Sequence, residues 1–239
     1  MTQALMQATG LNKAFGAVVI AENISFEVPE GEVVGIIGPN GAGKTTLFGL
    51  LAGTVPLDSG QIVFAGRDVT PLPSHHRARL GIARTYQVPR PFTHMTVREN
   101  LRVAALFAGQ LEEAECDEWV DEVLAFTGLA RESDLLAGRL PLLGRKRHEL
   151  ARALATRPNL LLIDEVAAGL TDAEVDDFID LVARIKGAGI TVIWIEHVMK
   201  TMLRATDRLL ALAGGQIIAE GRPEEVIKAP EVQRVYLGA

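Results

Sequence analysis

The chain has 239 residues, of which 48% are hydrophobic and 23% are charged, and this composition predicts an ordinary globular protein of one or two lobes. Its formal net charge of −6 argues against a broad nucleic-acid-binding surface, since such a surface is normally basic. Because Cys116 is the single cysteine, an intrachain disulfide framework and a cysteine metal cluster are both excluded.

The first residues, MTQALMQATG, lack the basic start and the apolar middle of a secretory signal. No apolar run in the sequence approaches the roughly 18 residues that a membrane-spanning helix needs. We therefore expect the protein to stay in the cytoplasm.

Two β-favouring runs, AVVIAENISFEV and GQIVFAGRDV, enclose the stretch GPNGAGKTTL, which follows the apolar run EVVGIIG. Gly38, Gly43, Lys44 and Thr45 fit the pattern G-x-x-x-x-G-K-[ST]. In this pattern glycines let backbone N–H groups surround phosphates, the lysine reaches their outer oxygens, and the threonine binds magnesium. A helix beginning near Lys44 would point its positive end at the same anion. The alternative is a glycine-rich turn that matches by chance.

From Val97 to about Ala137 the apolar positions recur at helical spacing, which predicts a helical lobe. No internal repeat or Gly/Ser-rich linker is evident, so two lobes of one domain are expected. We predict a single domain over residues 1–239, with a core of about 1–95 and 155–239 and a helical lobe of about 96–154.

The segments NLLLIDEV and GITVIWIEH are short and uniformly apolar, as expected for strands of a parallel sheet covered by helices. Asp164 and Glu165 end the first segment, at the strand end where open α/β sheets bind ligands. We expect Asp164 to hold magnesium through water and Glu165 to polarise the water that attacks a γ-phosphate. The alternative is a solvated acidic turn.

Two further polar residues are candidates for the same site. His197 follows the apolar run TVIWIE and would lie beside the γ-phosphate as a sensor, although a single histidine there is often structural. Gln87, in ARTYQVPRPFTHMTVRENL, would reach magnesium or the attacking water, although a single loop glutamine often has no function.

Taken in order, these motifs resemble the ATP-binding subunit of an ABC transporter over essentially the whole chain. The resemblance implies an α/β fold with a P-loop NTPase core, an antiparallel β subdomain and a helical signature subdomain. It also implies ATP and Mg²⁺ as cofactors, with Lys44, Glu165 and His197 catalytic and with Thr45, Gln87 and Asp164 at the metal. The implied ATP-binding residues are Phe15, Gly38, Pro39, Asn40, Gly41, Ala42, Gly43, Lys44, Thr45, Thr46 and Gln87. Phe15 would stack on adenine; the alternative is a core aromatic residue.

The stretches DEVAAGL, IEHVMK and AEGRPEEVIKAPEVQRVYLG resemble the branched-chain amino acid importer subfamily. This resemblance implies an ATP-hydrolysing subunit on the inner face of the cell membrane. The implied partners are a second, different ATPase subunit, two transmembrane permeases and, indirectly, a periplasmic or extracellular binding protein. The loop VPRPFTHMT would receive a short permease helix; an ordinary surface loop is the alternative. The lipopolysaccharide-export ATPase is a similar relative.

One motif departs from the family pattern. The signature of the family, typically Leu-Ser-Gly-Gly-Gln, corresponds here to Leu140, Pro141, Leu142, Leu143 and Gly144. Proline lacks both the hydroxyl and the backbone N–H of serine, and the leucines add side chains where glycines let backbone approach phosphate. A one-residue slip would bring Gly144 to a glycine position but would rotate the following helix by about 100°. Since a signature completes the partner's site, we expect an asymmetric heterodimer.

A basic run, Arg145 to Arg147, follows the degenerate signature at a helix start, where positive charge opposes the macrodipole. One interpretation is that the run forms a solvated helix face. The other is that Arg145 reaches the phosphates bound by the partner. Val166 and Val198 replace a proline and an aspartate that are common in the family, but neither change removes a group that the chemistry requires.

Three other functions remain as alternatives. ABC proteins that act on DNA or ribosomes usually carry two cassettes or a long coiled-coil insertion, and this chain has neither. A regulatory cassette without hydrolysis would more naturally have lost Glu165 or His197. A small-molecule kinase would not be expected to show Gln87, the Asp164–Glu165 pair and His197 together.

Overall fold

The computed structural model describes residues 4–237, and within them the chain forms ten β-strands and nine α-helices. The strands are β1 (Ala4–Phe15), β2 (Val18–Pro29), β3 (Val33–Ile37), β4 (Ser59–Phe64), β5 (Arg67–Asp68), β6 (Ile82–Arg84), β7 (Leu160–Asp164), β8 (Thr191–Ile195), β9 (Arg208–Ala213) and β10 (Gln216–Gly221). The helices are α1 (Lys44–Ala52), α2 (Ser74–Arg79), α3 (Val97–Phe107), α4 (Glu113–Thr127), α5 (Leu142–Ala155), α6 (Asp172–Gly187), α7 (Met199–Ala205), α8 (Pro223–Val226) and α9 (Pro230–Leu237).

The central sheet has six strands in the order β10-β9-β3-β8-β7-β6, and all neighbouring strands except β9 and β10 run parallel. Every residue of β3, β7 and β8 is buried, as expected for strands that are covered on both faces. The predictions of strands at NLLLIDEV and GITVIWIEH are therefore confirmed. Because these strands run parallel, their carboxyl ends lie at one edge of the sheet.

A second, antiparallel sheet has the strand order β2-β1-β4-β5. The predicted runs AVVIAENISFEV and GQIVFAGRDV form β2 and the pair β4 and β5. The 12-residue strand β1 was not predicted. Its pairing with β2 is shifted between Ala8 and Leu11, and Gly10 between them has a left-handed φ of +58°, so the alternation of apolar residues is interrupted.

Three helices, α3, α4 and α5, pack on one another beside the central sheet. Thr96 begins α3 with a capping box, since its side chain accepts from the Glu99 backbone and Glu99 bonds back to the Thr96 backbone. The helical pattern predicted to about residue 137 is interrupted after α3, where Gln110 has a φ of +55°, and again at Gly128, which ends α4. None of the helices in residues 4–237 is both long and apolar enough to cross a bilayer.

His148 is a fully buried histidine on α5, and neither ring nitrogen has a hydrogen-bond partner among the described residues. Burial, with a smaller contribution from Arg152, lowers the pKa of His148 from 6.5 to about 4. As the pH falls, His148 therefore takes up a proton near pH 6.5 in the unfolded chain but only near pH 4 in the folded chain. Folding stability from this group is complete above pH 6.5 and is lost as the pH falls toward 4.

We predict that replacing His148 by Leu removes this acid sensitivity. At about 1.4 kcal/mol per pH unit, the wild-type protein should lose at most roughly 3 kcal/mol more free energy of unfolding than His148→Leu between pH 7 and 4. Urea unfolding at four pH values measures the difference, and the exposed His94, replaced by Leu, is the control. Parallel pH profiles for the wild type and His148→Leu would contradict the prediction.

Candidate active site

The glycine-rich loop lies between β3 and α1, and α1 begins at Lys44 as predicted. Gly41 and Gly43 have left-handed φ angles of +82° and +95°. A Cβ atom on Gly43 would lie 2.5 Å from the Ile20 carbonyl oxygen, whereas a Cβ atom on Gly41 would meet nothing within 4 Å. Gly43 is therefore required both by its backbone conformation and by close packing.

The Lys44 ammonium is folded back onto its own loop. Its Nζ atom donates to the carbonyl oxygens of Gly38 at 2.8 Å and Pro39 at 3.1 Å. Burial lowers the pKa of Lys44, although the carboxylates of Glu165 and Asp164 oppose this shift. The loop from Asn40 to Thr46, with Ile20 and Glu165, lines an open cavity of about 270 Å³. The lysine thus shapes the loop around a concave, polar site.

Asp164 is the last residue of β7 and is almost completely buried. Its Oδ2 atom accepts from Arg84 Nη2 at 2.9 Å, while its buried Oδ1 atom has no partner among the described residues. Burial raises the pKa of Asp164, and the Arg84 hydrogen bond and charge oppose the shift. A buried carboxylate oxygen without a partner is suited to bind a hard cation or its hydration water.

Glu165 brings three of the predicted residues together. One of its carboxylate oxygens accepts from the Gln87 amide, and the other contacts His197 Nε2. Its backbone N–H donates to the Ile195 carbonyl oxygen at 2.9 Å, and its φ angle of +45° is left-handed. Glu165 also lines the cavity of the glycine-rich loop, so it connects Gln87 and His197 to the concavity that contains Lys44.

Glu196 was not predicted as a site residue, although it positions two segments of the site. Its Oε1 atom accepts from the His197 backbone N–H at 2.8 Å, and its Oε2 atom accepts from the Ala167 backbone N–H at 2.9 Å. Its side chain is nearly inaccessible to solvent. In the sequence, Glu196 follows an apolar run in the same way as Asp164 and Glu165 do. Only the Asp164–Glu165 pair was predicted from this pattern.

Phe15, the predicted adenine-stacking residue, ends β1 and has half of its surface exposed, so it is not a core aromatic residue. The Lys13 ammonium lies 5.2 Å from the centre of the ring. Phe15 does not line the phosphate cavity, and the residue of β2 that lines it is Ile20.

Tyr236, on α9, is a further residue near the glycine-rich loop that was not predicted. Burial raises the pKa of Tyr236, and a hydrogen bond from the Gly38 backbone N–H opposes the shift.

The segment corresponding to the signature precedes and begins α5. Leu140 is buried, Pro141 stands at the N-cap, and no side chain caps the helix. Leu142 is 47% exposed and reaches the turn at Gly169, where a Cβ atom would lie 3.1 Å from its Cδ2. The start of α5 thus presents an apolar leucine side chain and no side-chain cap.

The basic run after this segment is not one solvated face. Arg145 folds back, and its guanidinium donates to the Leu140 carbonyl oxygen at 2.8 Å. Lys146 is buried and donates to the Glu165 carbonyl oxygen at 3.4 Å. Arg147 pairs with Asp177 at 3.3 Å. The three charges point in different directions because successive helical residues are rotated by about 100°.

A second concavity of about 380 Å³ lies where α2, β6, α3 and α5 meet, and its lining includes Arg84, Tyr86, Phe92, Phe107, Glu149 and Arg152. The loop after Gln87 is tied to α5 at this cleft. The Arg90 backbone N–H donates to Glu149 at 3.3 Å, and Arg152 donates to the Arg90 carbonyl oxygen at 2.7 Å. The loop and α5 are therefore mechanically connected.

Comparisons with known proteins agree with this geometry. The family model described as ABC transporter matches residues 21–168. The chain is 37% identical to the high-affinity branched-chain amino acid transport ATP-binding protein LivG of Salmonella typhimurium, over all of this chain and 99% of the relative. It is 35% identical to the lipopolysaccharide export system ATP-binding protein LptB of Haemophilus influenzae, covering 98% of this chain and 97% of the relative. The crystal structure of the ADP conformation of MJ1267, an ATP-binding cassette of an ABC transporter, superposes with a TM-score of 0.91 at 34% identity, with both chains covered completely.

We predict that Gly43→Ala damages the glycine-rich loop more than Gly41→Ala. Both changes place a Cβ atom at a left-handed φ angle, at a cost of about 1–2 kcal/mol, but only the Gly43 change also collides with backbone. Urea unfolding should show a free-energy loss for Gly43→Ala that exceeds the loss for Gly41→Ala by at least about 1 kcal/mol. Equal losses in the two variants would contradict the close packing on Ile20.

Proposed function

The chain belongs to the ABC transporter family of ATP-binding proteins, and we propose that it is the ATP-hydrolysing subunit of an importer for branched-chain or related amino acids. The observation that carries the proposal is the convergence of Glu165, Gln87 and His197 beside the loop that ends at Lys44. The substrate class is supported by the names of full-length relatives, which include LivG and BraF. We further propose that the whole chain acts as one such unit.

Phosphate binding is the first task of the site. The loop presents backbone N–H groups and the N-terminus of α1 to an anion, and Lys44 supplies a positive charge. In the structure the ammonium is bonded to the Gly38 and Pro39 carbonyl oxygens. Phosphate oxygens would replace these carbonyls, so the lysine exchanges neutral acceptors for charged ones as ATP binds.

Glu165 is the proposed general base. Its carboxylate orients a water molecule for in-line attack and accepts its proton, while hydrolysis depends mainly on positioning and charge stabilisation. In the structure both carboxylate oxygens are engaged, one by Gln87 and one by His197. Each carboxylate oxygen keeps a second lone pair, so a water molecule can bind the carboxylate beside these two contacts. Movement of the Gln87 loop would change how Glu165 is held and therefore how that water is oriented.

Magnesium fits the residues that are present. Asp164 offers a buried oxygen that has no partner in residues 4–237, and Thr45 lies in the first turn of α1, so these residues and Gln87 would hold the ion. When bound, the ion neutralises phosphate charge. No group of three or more His, Cys, Asp or Glu side chains suited to hold a metal occurs in residues 4–237.

A second ATPase subunit is the proposed partner. Pro141 and Leu142 offer neither a hydroxyl nor a glycine backbone where a signature would bind the partner's ATP. The phosphate loop, Glu165 and His197 of this chain are complete. We therefore propose a heterodimer in which the companion's signature completes the site on this chain, while the companion's own ATP meets the degenerate segment here.

Two transmembrane permeases would dock at the cleft beside the active site and hold the subunit on the inner face of the cell membrane. Phe92 and Phe107 line this cleft and are 49% and 68% exposed, so they offer apolar contact area to a permease segment. The loop after Gln87 forms part of the cleft, so a permease bound there would contact the loop that carries Gln87, the residue that donates to Glu165. A periplasmic or extracellular binding protein would act through the permeases.

Lipopolysaccharide export is the second candidate function, because the Haemophilus influenzae LptB relative is 35% identical over nearly both full lengths. A regulatory cassette without hydrolysis is less well supported, since such a protein does not need Glu165, Gln87 and His197 to converge. Neither alternative changes the proposed chemistry of the site.

We predict that the purified chain hydrolyses ATP slowly alone and rapidly with a companion ATPase, because only the companion supplies an intact signature. Glu165→Gln in this chain should reduce the rate of the mixture by about 100-fold or more. Phosphate release measures the rates, and Glu118→Gln, at an exposed position of α4, is the matched control. Rapid Glu165-dependent hydrolysis by the chain alone would contradict the heterodimer, since two copies would then complete each other's sites.

We also predict that leucine, presented by its binding protein, stimulates ATP hydrolysis in proteoliposomes that contain the chain, its companion and two permeases. Radiolabelled leucine should accumulate in the compartment opposite the binding protein, and Glu165→Gln should abolish the accumulation. Lipopolysaccharide in place of leucine is the comparison. Stimulation by lipopolysaccharide alone would favour the export function.

A further inference from the structure

Arg84 is a largely buried arginine that was not predicted as a site residue, and it pairs with the proposed metal residue. It ends β6, the edge strand next to β7, and its Nη2 atom donates to Asp164 Oδ2 at 2.9 Å. The two side chains are only 10% and 2% exposed. A buried pair of this kind is held much more firmly than a surface salt bridge, because loss of either partner leaves an uncompensated charge.

Two aromatic rings fix the guanidinium from other directions. Its central carbon lies 5.7 Å from the centre of the Phe48 ring on α1 and 5.2 Å from the centre of the Tyr86 ring. Its Nε atom is buried without a hydrogen-bond partner in residues 4–237, so Asp164 is the hydrogen-bonding acceptor that orients the group. Phe48 belongs to α1, the helix that starts at the phosphate loop. Arg84 therefore contacts this helix as well as Asp164 at the end of β7.

The ion pair with Arg84 engages only one of the two carboxylate oxygens of Asp164. Oδ2 is held by Arg84, and the Asp164 backbone N–H donates to Thr85 Oγ1 at 3.1 Å. Oδ1 is buried and has no partner within the described part of the chain. A carboxylate held by one oxygen and free at the other is pre-organised to offer that free oxygen to a hydrated cation.

We propose that Arg84 is a positioning residue that sets the orientation of Asp164 toward magnesium. This inference rests on the proposed function, because it assumes that the site binds Mg-ATP. The guanidinium contributes through its hydrogen bond and its stacked position, in the way that outer groups orient metal-binding side chains. Without it, the carboxylate loses the contact that fixes its rotamer. A purely structural role would affect folding and leave metal affinity unchanged.

The experiment measures metal affinity directly. Mn²⁺, as a paramagnetic substitute for magnesium, is titrated into ATP-bound protein, and free Mn²⁺ is followed by electron paramagnetic resonance. Arg84→Met removes the hydrogen bond and the charge, and Arg84→Lys keeps the charge but loses the planar fork. Arg184→Met is the matched control, because Arg184 also stacks on an aromatic ring, Phe126 at 4.8 Å, but belongs to α6.

We expect Arg84→Met to weaken nucleotide-dependent Mn²⁺ binding about tenfold, within the 10- to 100-fold range known for outer-shell partners. Arg84→Lys should bind with intermediate affinity, and Arg184→Met should bind as the wild type does. Binding of a fluorescent ATP analogue in EDTA should be equal in all four proteins, because the phosphate loop is unchanged. Circular dichroism establishes that each variant is folded, and Arg84→Lys alone decides the outcome if Arg84→Met does not fold.

Equal or tighter Mn²⁺ binding in a folded Arg84 variant would overturn the inference and leave the proposed function intact. An equal loss in Arg184→Met would also overturn it, since the effect would then not depend on contact with Asp164. A wild-type protein without nucleotide-dependent Mn²⁺ binding would overturn both the inference and the magnesium site of the proposed function.

Discussion

The site depends on three neighbouring parallel strands, β3, β8 and β7, that are buried at every position. Since side chains on both faces are packed, the register of these strands is fixed. Their carboxyl ends deliver, in spatial order, the glycine-rich loop, the Glu196–His197 pair and the Asp164–Glu165 pair. The pairing of Asp164 with Ile195 places the carboxylates beside the histidine that follows β8. Chain positions more than 100 residues apart in the sequence thus form one site.

Each charged side chain of this site makes at least one hydrogen bond to another group of the chain. Lys44 bonds loop carbonyls, Glu165 contacts Gln87 and His197, and Asp164 pairs with Arg84. This arrangement follows from the cost of burying an unpaired charge. Under the proposed function, nucleotide binding would exchange the partners of Lys44, and its net free energy would be the difference between two sets of similar interactions. Small movements of a loop that carries one partner would then change which set is favoured.

Local patterns in the sequence were sufficient for the glycine-rich loop and for the buried strands β7 and β8, because spacing and apolarity determine both. Arg84 and Glu196 were missed, since their roles depend on which strands are neighbours and not on any spacing along the chain. The strand β1 was missed because Gly10 and a shifted register break its alternation. The run from Arg145 to Arg147 was treated as one face, although the helix directs its three charges to different partners.

Because the backbone of Glu165 is left-handed, stability and catalysis favour different residues at this position. A non-glycine residue at a φ of +45° costs about 1–2 kcal/mol. Residues that relax the turn, such as glycine, lack the carboxylate. Selection for heat resistance alone would therefore favour loss of Glu165, as in other proteins where activity and stability conflict. A laboratory evolution experiment on this chain needs a screen for turnover alongside the screen for survival at high temperature.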